Sequence, residues 1–417
     1  MENNLNKFLV GGAVRDLLMG RPSKDDDYVV VGATPNDLLM EGYVQVGSDF
    51  PVFLHPRTGA EYALARRERK TGKGYLGFTV EFDASVTLEE DLGRRDLTVN
   101  AMAFEMTGST ADWKLVDPFG GKADLQNKVL RHVSDEAFVE DPVRVLRLAR
   151  FAARYNDFTV APETVHLVRK MVVDGVLDEL QKDRVWKELS RALVETDPRR
   201  FFDVLLETDA LEVIFPEIFA LVDTEENLKW HPEGNSFEHT MLVLTAMSKL
   251  RPGSVEDAMF ALVHDFGKAL TPKHLQPKHH GHEVTGVPVV EKFMTRLGLG
   301  GTFVRRAKTL TRFHMHMHRL DVMKASTFVK MFGEMDAFRD EEVVEHLMWL
   351  GAADHRGRLG HENADFGQLF HVMNLAAAAN SVKFDDLGVA PPPATKVERV
   401  KELFFKARTR AVAAWMK

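Results

Sequence analysis

Two aspartates near the N-terminus have the spacing of a metal-binding pair. Asp25 and Asp27 are separated by one residue at the start of the apolar run 28–31, and alternate residues of a strand project from the same face. Two carboxylates on one face repel each other unless divalent cations bridge them, and phosphoryl transfer uses such pairs to hold two metal ions. The spacing therefore predicts a catalytic metal site at Asp25 and Asp27, with Asp26 pointing away.

A glycine pair lies upstream, between a predicted strand and a predicted helix. Gly11 and Gly12 follow the apolar residues 8–10 and precede a stretch with helical periodicity. Bare backbone N–H groups next to a helix N-terminus can bind a triphosphate, and Arg15 comes one turn later, within reach of phosphate. Taken singly, the glycines are typical of a tight turn and the aspartates of a solvated loop. The strand-turn-helix-strand order around both favours a nucleotide site.

Composition limits the classes of protein that the chain can represent. Its 417 residues exceed what one hydrophobic core usually organises, and the absence of cysteine excludes disulfides, thiolate zinc sites and cysteine nucleophiles. The net charge of -8 argues against a generally basic nucleic-acid binder. Residues 1–8 lack a secretion signal, and no run approaches the roughly 20 apolar residues that span a bilayer. We expect a soluble, cytoplasmic protein with no membrane partner, either a monomer or a homodimer.

Secondary-structure patterns divide the chain into four segments. Strand and turn signals continue to about residue 132, and helical periodicity replaces them from Asp135 onward. Pro232 and Gly234 indicate a linker, with Ser236 as a helix cap. The sequence predicts an α+β fold: a mixed-sheet head with helices (1–135), an all-α neck and body (136–230), a second all-α domain (236–356) and a helical tail (357–417) that includes the prolines 391–393.

Four motifs occur in an order that resembles the class II tRNA nucleotidyltransferases, the CCA-adding enzymes. They are GGAVRD (11–16), KDDDYVV (24–30), RRDLTVNA (94–101) and EDPVRVLRLARFAARY (140–155). The resemblance implies a nucleotidyltransferase head of the DNA polymerase beta type with Mg²⁺ at Asp25 and Asp27. It also implies that the substrates are the tRNA 3′ end, CTP and ATP.

The last of these motifs supplies residues that could read the nucleotide base. In the resembled family, the carboxylate and first arginine of E-D-x-x-R act as a protein template, which implies that role for Asp141 and Arg144. A carboxylate accepts from an exocyclic amine while a guanidinium donates to ring acceptors, which favours amino-bearing bases. The alternative interpretation of this segment is an ordinary amphipathic helix whose arginines form a solvated basic stripe. Nucleotide contacts are implied for Gly11, Gly12, Arg15, Arg95, Asp96, Asp141, Arg144, Arg147 and Arg150.

A basic segment, 66–74, contains Gly72 and Gly74 and suits a mobile element that rearranges as the 3′ end grows. The alternative interpretation is an exposed hairpin tip.

Histidines concentrate in the second half of the chain, where 13 of the 17 lie between His231 and His361. The order H…HD…D over roughly 236–356 resembles the HD phosphohydrolases, which implies one divalent transition metal, such as Ni²⁺, Mn²⁺ or Co²⁺. The implied ligands are His239, His264, Asp265 and Asp354, and the site could be completed by the cluster His279, His280 and His282 or by His314. Imidazole and carboxylate ligands leave the identity of the metal open.

A CCA-adding head followed by an HD domain resembles the bacterial multifunctional CCA proteins. In these, the HD domain carries phosphatase, 2′-nucleotidase and 2′,3′-cyclic phosphodiesterase activities. The nearest alternative is a bacterial poly(A) polymerase, which shares the head motifs, although the HD domain and the EDPVR sequence weigh against it. A third alternative is a metal phosphohydrolase whose head binds nucleotides without catalysis.

Overall fold

The computed structural model describes residues 5–23, 25–46, 52–70, 78–107, 109–390, 392 and 396–417. Lys24 of the second motif, residues 71–74 of the predicted mobile segment, and Pro391 and Pro393 lie outside the described residues. The chain forms two compact units. Unit 1 extends to Arg184 and also contains Arg200–Ile214, and unit 2 consists of Val185–Arg199 and Phe215–Lys417.

Unit 1 begins with a mixed β-sheet. The strands of the described chain are β1 (Asn6–Val10), β2 (Asp27–Val31), β3 (Val44–Val46), β4 (Val52–Leu54), β5 (Glu61–Leu64), β6 (Arg67–Lys70), β7 (Phe78–Glu81), β8 (Ala103–Glu105), β9 (Lys114–Val116), β10 (Val129–Leu130) and β11 (Thr159–Val160). Seven of them form one sheet in the order β3-β4-β5-β2-β1-β8-β9. Within that sheet β2 and β5 are parallel and the other pairs are antiparallel.

The start of β2 differs from the prediction, because the strand begins at Asp27 and Asp25 lies in a bend before it. The reason is that both neighbouring strands stop pairing at this point. The β1 ladder ends with Val10 opposite Asp27, and the β5 ladder begins with Glu61 opposite the same residue. Strand alternation therefore does not set the direction of the Asp25 side chain.

The helices between and after these strands lie in unit 1, apart from most of the helix at 182–192 and the first residue of the helix at 199–207, which belong to unit 2. They are α1 (Gly12–Leu18), α2 (Pro35–Met40), α3 (Leu88–Gly93), α4 (Gly121–Asn127), α5 (Asp135–Glu140), α6 (Val143–Arg154), α7 (Pro162–Val173), α8 (Lys182–Ala192), α9 (Arg199–Glu207) and α10 (Ala210–Ile214). The motif at 140–155 contains α6, with Pro142 as the N-cap of that helix. Ten of its twelve residues are buried, including Arg144 and Arg150, so α6 is not an amphipathic helix with a solvated basic stripe.

Unit 2 is helical, and its described residues form no β-strand beyond one isolated bridge between Glu225 and Asn235. The helices are α11 (Pro216–Phe219), α12 (Ser236–Leu250), α13 (Val255–Val263), α14 (His282–Arg296), α15 (Gly301–Phe313), α16 (Ala325–Glu334), α17 (Glu342–Arg356), α18 (His371–Asn380) and α19 (Val397–Trp415). The cap of α12 is Asn235, whose side chain accepts from the Glu238 N–H at 2.8 Å, and not Ser236 as predicted. The structure confirms the predicted α+β class.

Short 3₁₀ segments connect several of these elements. They are Thr98–Asn100, Thr110–Asp112, Val176–Glu179, Phe266–Leu270, Lys273–Leu275, His314–Val322, Gly367–Phe370 and Phe384–Leu387. Among the helices that the structure describes, none combines the length and the apolar character needed to cross a membrane.

Candidate functional site

A cluster of carboxylates lies at the start of β2. The parallel register places Glu61 of β5 next to Asp27, and Asp25 precedes it in the bend. Loss of solvent around Asp27 raises its pKa above the usual range, Arg95 lowers it, and the negative charges of Glu61 and Asp25 raise it further. Carboxylates that destabilise one another's charge are suitable oxygen ligands for a divalent cation such as Mg²⁺. The sequence analysis missed Glu61, because only pairing across the sheet brings it to Asp27.

The glycine turn before α1 leaves room for the side chain of Arg95. Gly11 adopts a left-handed conformation with φ of 71°, and its N–H donates to the Met102 carbonyl at 3.1 Å. A Cβ at Gly11 would lie 2.6 Å from Nη1 of Arg95, so any larger residue would displace the guanidinium. Arg95 also donates to buried Asp91 at 3.2 Å. The turn therefore leaves space for a guanidinium whose positive charge lowers the pKa of Asp27.

Arg15 is packed inside unit 1 rather than free at the turn. Its guanidinium donates to Asp16 at 2.8 and 2.9 Å and also to Asn100. It stacks on the rings of Phe151 and Tyr155, with centroid distances of 5.4 and 5.3 Å, and it is 4% exposed. Arg15 thus connects α1 to α6. The predicted phosphate contact stays a prediction, and it requires the guanidinium to exchange or share these partners.

Asp96 is a buried acceptor that positions an arginine of α6. Its carboxylate accepts from Arg147 Nε at 2.7 Å, Asn100 Nδ2 at 3.0 Å and its neighbour's backbone N–H at 2.8 Å. Burial alone would raise the pKa of Asp96, but Arg147 and these hydrogen bonds lower it to about 2. With 6% of its surface exposed, Asp96 faces protein rather than open solvent. The position of Asp96 supports an indirect role, in which it orients Arg147 and Arg147 contacts the nucleotide.

Of the two residues implied as the base-reading template, Asp141 lies between α5 and α6 and Arg144 lies in the first turn of α6. The Arg144 N–H donates to the Asp141 carbonyl at 3.0 Å, and the Arg144 guanidinium donates to the Arg95 carbonyl at 3.3 Å. Arg184 of α8 donates to both carboxylate oxygens of Asp141, at 2.8 Å each. Arg150 is buried and stacks on Phe151 at 4.8 Å. Sequence analysis missed Arg184, which lies outside every motif.

The four residues implied as HD metal ligands come together in unit 2. His239 Nε2 lies 3.2 Å from Asp354 Oδ1 and 3.6 Å from Asp265 Oδ2, and His264 Nε2 lies 3.2 Å from the same Asp265 oxygen. All four side chains are buried. His264 Nε2 has no hydrogen-bond partner in the described part of the chain, although a buried polar atom normally has one. This donor set fits a divalent transition metal.

The electrostatics of this cluster favour a positive charge at its centre. Burial would raise the pKa of Asp265 and Asp354, yet both are held well below the usual range, mainly by His264 and Lys268 in one case and by His318 and His239 in the other. For His239, burial lowers the pKa, but hydrogen bonds to Asp354 and Glu233 raise it to about 9. A bound cation would satisfy the same carboxylates that otherwise keep a proton on the imidazole.

The other candidate histidines separate into two groups. His279 places its ring nitrogens 2.9 Å from the Thr271 hydroxyl and 2.9 Å from the Glu225 carbonyl, and His280 is exposed. His282 and His314, in contrast, lie 3.1 and 3.4 Å from Asp265 Oδ1. Only the latter two approach the proposed metal centre.

Three successive parts of the chain match known protein families. Residues 7–131 match the poly A polymerase head domain, 157–221 match the probable RNA- and SrmB-binding site of polymerase A, and 236–342 match the HD domain. Among solved structures, an apo form of a CCA-adding enzyme is 18% identical with a TM-score of 0.68, covering 99% of this chain and 91% of that one. This chain has the fold of the CCA-adding enzymes.

Two further structures with the CCA-adding fold were solved with ligands. A CCA-adding enzyme in complex with CTP is 20% identical with a TM-score of 0.64, covering 99% of this chain and 88% of that one. The Thermotoga maritima CCA-adding enzyme complexed with tRNA_CCA is 19% identical with a TM-score of 0.61, covering 100% of this chain and 92% of that one. At these identities the likeness shows the fold alone, and the head domain and the HD domain rest on the family matches.

Proposed function

We propose that this chain adds or repairs the 3′-terminal CCA of tRNA from CTP and ATP without a nucleic-acid template and releases pyrophosphate. The observation that supports this most directly is the hydrogen bond from Arg144 to the Arg95 carbonyl. It connects the proposed base-reading residues to the arginine held at the glycine turn, beside Asp27. The fold match over nearly the full chain supports the same proposal. The proposed segments are the head (1–135), neck and body (136–230), HD domain (236–356) and tail (357–417).

Each group of residues has a separate part in the proposed reaction. Asp25 and Asp27 hold Mg²⁺, which when bound stabilises charge on the attacking 3′ oxygen and the leaving pyrophosphate. Arg95 lies where it can neutralise phosphate oxygens. Asp141 accepts from the exocyclic amine of cytosine or adenine while Arg144 donates to a ring acceptor, which disfavours uracil and guanine.

The deciding experiment supplies purified protein and Mg²⁺ with tRNA lacking its 3′ end, using each nucleoside triphosphate singly and then CTP with ATP. We expect addition to stop at CCA. Runs of adenylate from ATP alone would instead identify a poly(A) polymerase. The double variant Asp25→Asn/Asp27→Asn is the matched negative control.

We propose, second, that unit 2 hydrolyses phosphate esters at the cluster of His239, His264, Asp265 and Asp354. The activities in question are those of a phosphatase, a 2′-nucleotidase and a 2′,3′-cyclic phosphodiesterase, which would clear blocked tRNA ends before addition. The unpartnered His264 Nε2 supports a metal at this position. Hydrolysis of 2′,3′-cyclic AMP with Ni²⁺, Mn²⁺ or Co²⁺ should disappear in His239→Gln and persist in Asp25→Asn/Asp27→Asn. Hydrolysis that survives His239→Gln would contradict the assignment.

A further inference from the structure

A cavity of about 290 Å³ lies in unit 2 beside the proposed HD ligands. Its walls come from the 3₁₀ segment His314–Val322, from α17 and from the residues that follow α17. His318 of the lining connects the cavity to the HD ligands, because its Nε2 lies 2.7 Å from Asp354 Oδ2. Small-molecule sites in proteins usually occupy roughly 300–1,000 Å³, so this cavity has room for a nucleoside but not for folded RNA.

The turn after α17 is held against the HD ligands. The Gly357 carbonyl accepts a hydrogen bond from His239 Nδ1 at 3.2 Å, and the Leu359 N–H donates to Glu233 Oε2 at 3.3 Å. A Cβ at Gly357 would lie 2.7 Å from a backbone atom of α12, so a larger residue at this position would push the turn away from that helix. The residue between Gly357 and Leu359 is Arg358, which is therefore kept beside the proposed metal centre.

The Arg358 guanidinium is largely buried and incompletely paired. Its side chain is 20% exposed, and its Nη2 lies 4.0 Å from Asp354 Oδ1, which is too far for a hydrogen bond. Its Nε is buried and has no hydrogen-bond partner among the described residues. Because buried polar atoms are normally paired, this guanidinium has hydrogen-bonding capacity that the described part of the chain does not use.

The charges around Arg358 favour an anion between it and the HD ligands. Asp354 Oδ1, the carboxylate oxygen near the guanidinium, also lies 3.2 Å from His239 Nε2, and both residues are implied metal ligands. A cation at those ligands and the guanidinium repel each other unless an anion lies between them. Arginine binds phosphate oxygens through two parallel N–H donors. The position of Arg358 therefore suits the phosphate group of a substrate.

The apolar part of the lining suits a nucleobase. It consists of side chains from the two segments on either side of α17 in the sequence, which are Met317, Leu320, Phe366 and Leu369. The Phe366 ring is half-buried, and the Arg356 guanidinium lies 4.5 Å from its centroid. Aromatic rings bind bases by stacking, whatever the base. Since Phe366 and Arg358 line the same cavity, one nucleotide can contact both.

A second cavity near the HD ligands lacks this combination. Its volume is about 410 Å³, and its lining includes His282 and Arg319. Arg319 is exposed, so water can satisfy its guanidinium. Among the described residues, the lining of this second cavity contains no phenylalanine, tyrosine or tryptophan. The cavity at Arg358 is therefore the better candidate for a nucleotide.

We propose that the cavity at Arg358 is the nucleoside subsite of unit 2, in which Arg358 binds the phosphate and Phe366 stacks on the base. This inference rests on the proposed HD activity and specifies its substrate class as a phosphorylated nucleoside, in preference to other phosphate esters. Neither residue belongs to the H…HD…D pattern. The resemblance to the HD phosphohydrolases therefore assigns no role to either of them.

The test compares two phosphomonoesters of secondary alcohols, of which only one carries a nucleoside. They are adenosine 2′-monophosphate and glycerol 2-phosphate, assayed with the full-length protein loaded with Mn²⁺. Asp25→Asn/Asp27→Asn is used as the parent, so that the head holds no metal ion. We expect the KM of the parent for adenosine 2′-monophosphate to be about 10-fold lower than its KM for glycerol 2-phosphate, which is the contribution of one stacked base.

Three variants of this parent separate the two parts of the subsite. Phe366→Leu should raise the KM for adenosine 2′-monophosphate about 10-fold and leave the KM for glycerol 2-phosphate unchanged. Arg358→Gln should raise both KM values about 10- to 100-fold, because both substrates lose a charged hydrogen bond. Arg319→Gln, in the second cavity, is the matched control and should change neither KM.

Calorimetry measures binding without turnover. Adenosine 2′-phosphorothioate, a slowly hydrolysed analogue, is titrated into the Mn²⁺-loaded parent and into each variant. We expect its Kd to rise about 10-fold in Phe366→Leu and about 10- to 100-fold in Arg358→Gln, and to stay the same in Arg319→Gln. An unchanged Kd in Arg358→Gln would show that Arg358 serves the fold and does not bind phosphate.

The outcomes separate this inference from the proposed HD activity. Hydrolysis of both substrates by the parent with equal KM values would overturn the nucleoside subsite and leave the HD activity standing. A rise in KM with Arg319→Gln but not with Arg358→Gln would move the substrate to the second cavity and also overturn the inference. No hydrolysis of either substrate would overturn both proposals. If Phe366→Leu does not fold, as judged by circular dichroism, the parent's preference between the two substrates and the Arg358→Gln variant still decide the question.

Discussion

Arg184 donates two parallel hydrogen bonds to Asp141, one to each carboxylate oxygen, at 2.8 Å each. This bidentate geometry fixes both the position and the plane of the carboxylate. The relationship matters because Asp141 is the proposed acceptor for the exocyclic amine of CTP or ATP. A carboxylate held in one plane discriminates between bases better than one that rotates, since the direction of its lone pairs is then defined.

The first prediction concerns Arg184 as a positioning residue. Arg184→Lys keeps the positive charge but loses the bidentate guanidinium contact with Asp141. We expect kcat/KM for CTP and ATP to fall about 10- to 100-fold, which is the equivalent of one charged hydrogen bond. Selectivity for CTP over UTP should fall with it, because the carboxylate is no longer oriented. Steady-state addition with single nucleotides measures both quantities. Arg191→Lys on the exposed side of α8 is the control, and unchanged selectivity in Arg184→Lys would contradict the role.

The second prediction separates backbone strain from displacement of Arg95. Gly11 and Gly20 both have left-handed backbones, with φ of 71° and 69°. A Cβ at Gly11 would lie 2.6 Å from Arg95 Nη1, whereas one at Gly20 would meet nothing within 4 Å among the described residues. Both alanine variants should lose about 1 kcal/mol of stability or somewhat more. Only Gly11→Ala should also lose most of its nucleotide addition, and equal activity in the two variants would remove Arg95 from the proposed site.

The third prediction concerns the carboxylate cluster. The pKa of Asp27 is raised in the folded protein, so its ionised form is disfavoured there. Asp27→Asn should therefore raise the melting temperature of the metal-free protein at pH 7. The gain should disappear in acid, because a raised folded pKa stabilises the protonated form below the unfolded pKa and the contribution is lost as pH rises through the folded pKa.

The same substitution should reduce nucleotide addition by more than the roughly 10- to 100-fold that changes outside the metal ligands cost. Asp26→Asn is the matched control and should retain addition. Thermal unfolding in chelator and a tRNA addition assay measure the two effects. A variant that loses stability and keeps activity would show that Asp27 serves the fold and not a metal.

The site residues predicted from the sequence share one property, which is that each lies close in sequence to the residues with which it was grouped. Asp25 and Asp27, the glycine pair and His264 with Asp265 lie within short motifs. The α+β class followed from the same local patterns.

The residues that sequence reasoning missed depend on tertiary contacts. Glu61 reaches Asp27 through strand register, and Arg184 reaches Asp141 across 43 positions of sequence. The burial of Arg15 was not predicted for the same reason, because the sequence does not show that the rings of Phe151 and Tyr155 cover its guanidinium. The start of β2 was predicted two residues early because a run of aspartates contains no information on where neighbouring strands stop pairing.

The last prediction tests the ion pair between Asp96 and Arg147. The pKa of Asp96 is about 2 in the folded protein, against roughly 3.9 for an unfolded aspartate. A lowered folded pKa contributes stability above the unfolded pKa, and this contribution is lost as pH falls through the folded pKa. Asp96→Asn should therefore destabilise the protein by about 2 kcal/mol at pH 7, the usual value of a hydrogen bond to a charged group.

The pH dependence of that difference identifies its cause. Urea unfolding of wild type and Asp96→Asn between pH 7 and pH 2 should give a constant difference down to about pH 4, followed by a decline toward pH 2. The difference in unfolding free energy between wild type and Arg147→Gln should decline in the same way. The reason is that Asp96 becomes neutral in acid and no longer forms an ion pair with Arg147. The double variant should cost less than the sum of the two single variants, since they remove one shared interaction. A difference that does not change with pH would mean that packing, and not charge, holds Asp96 in place.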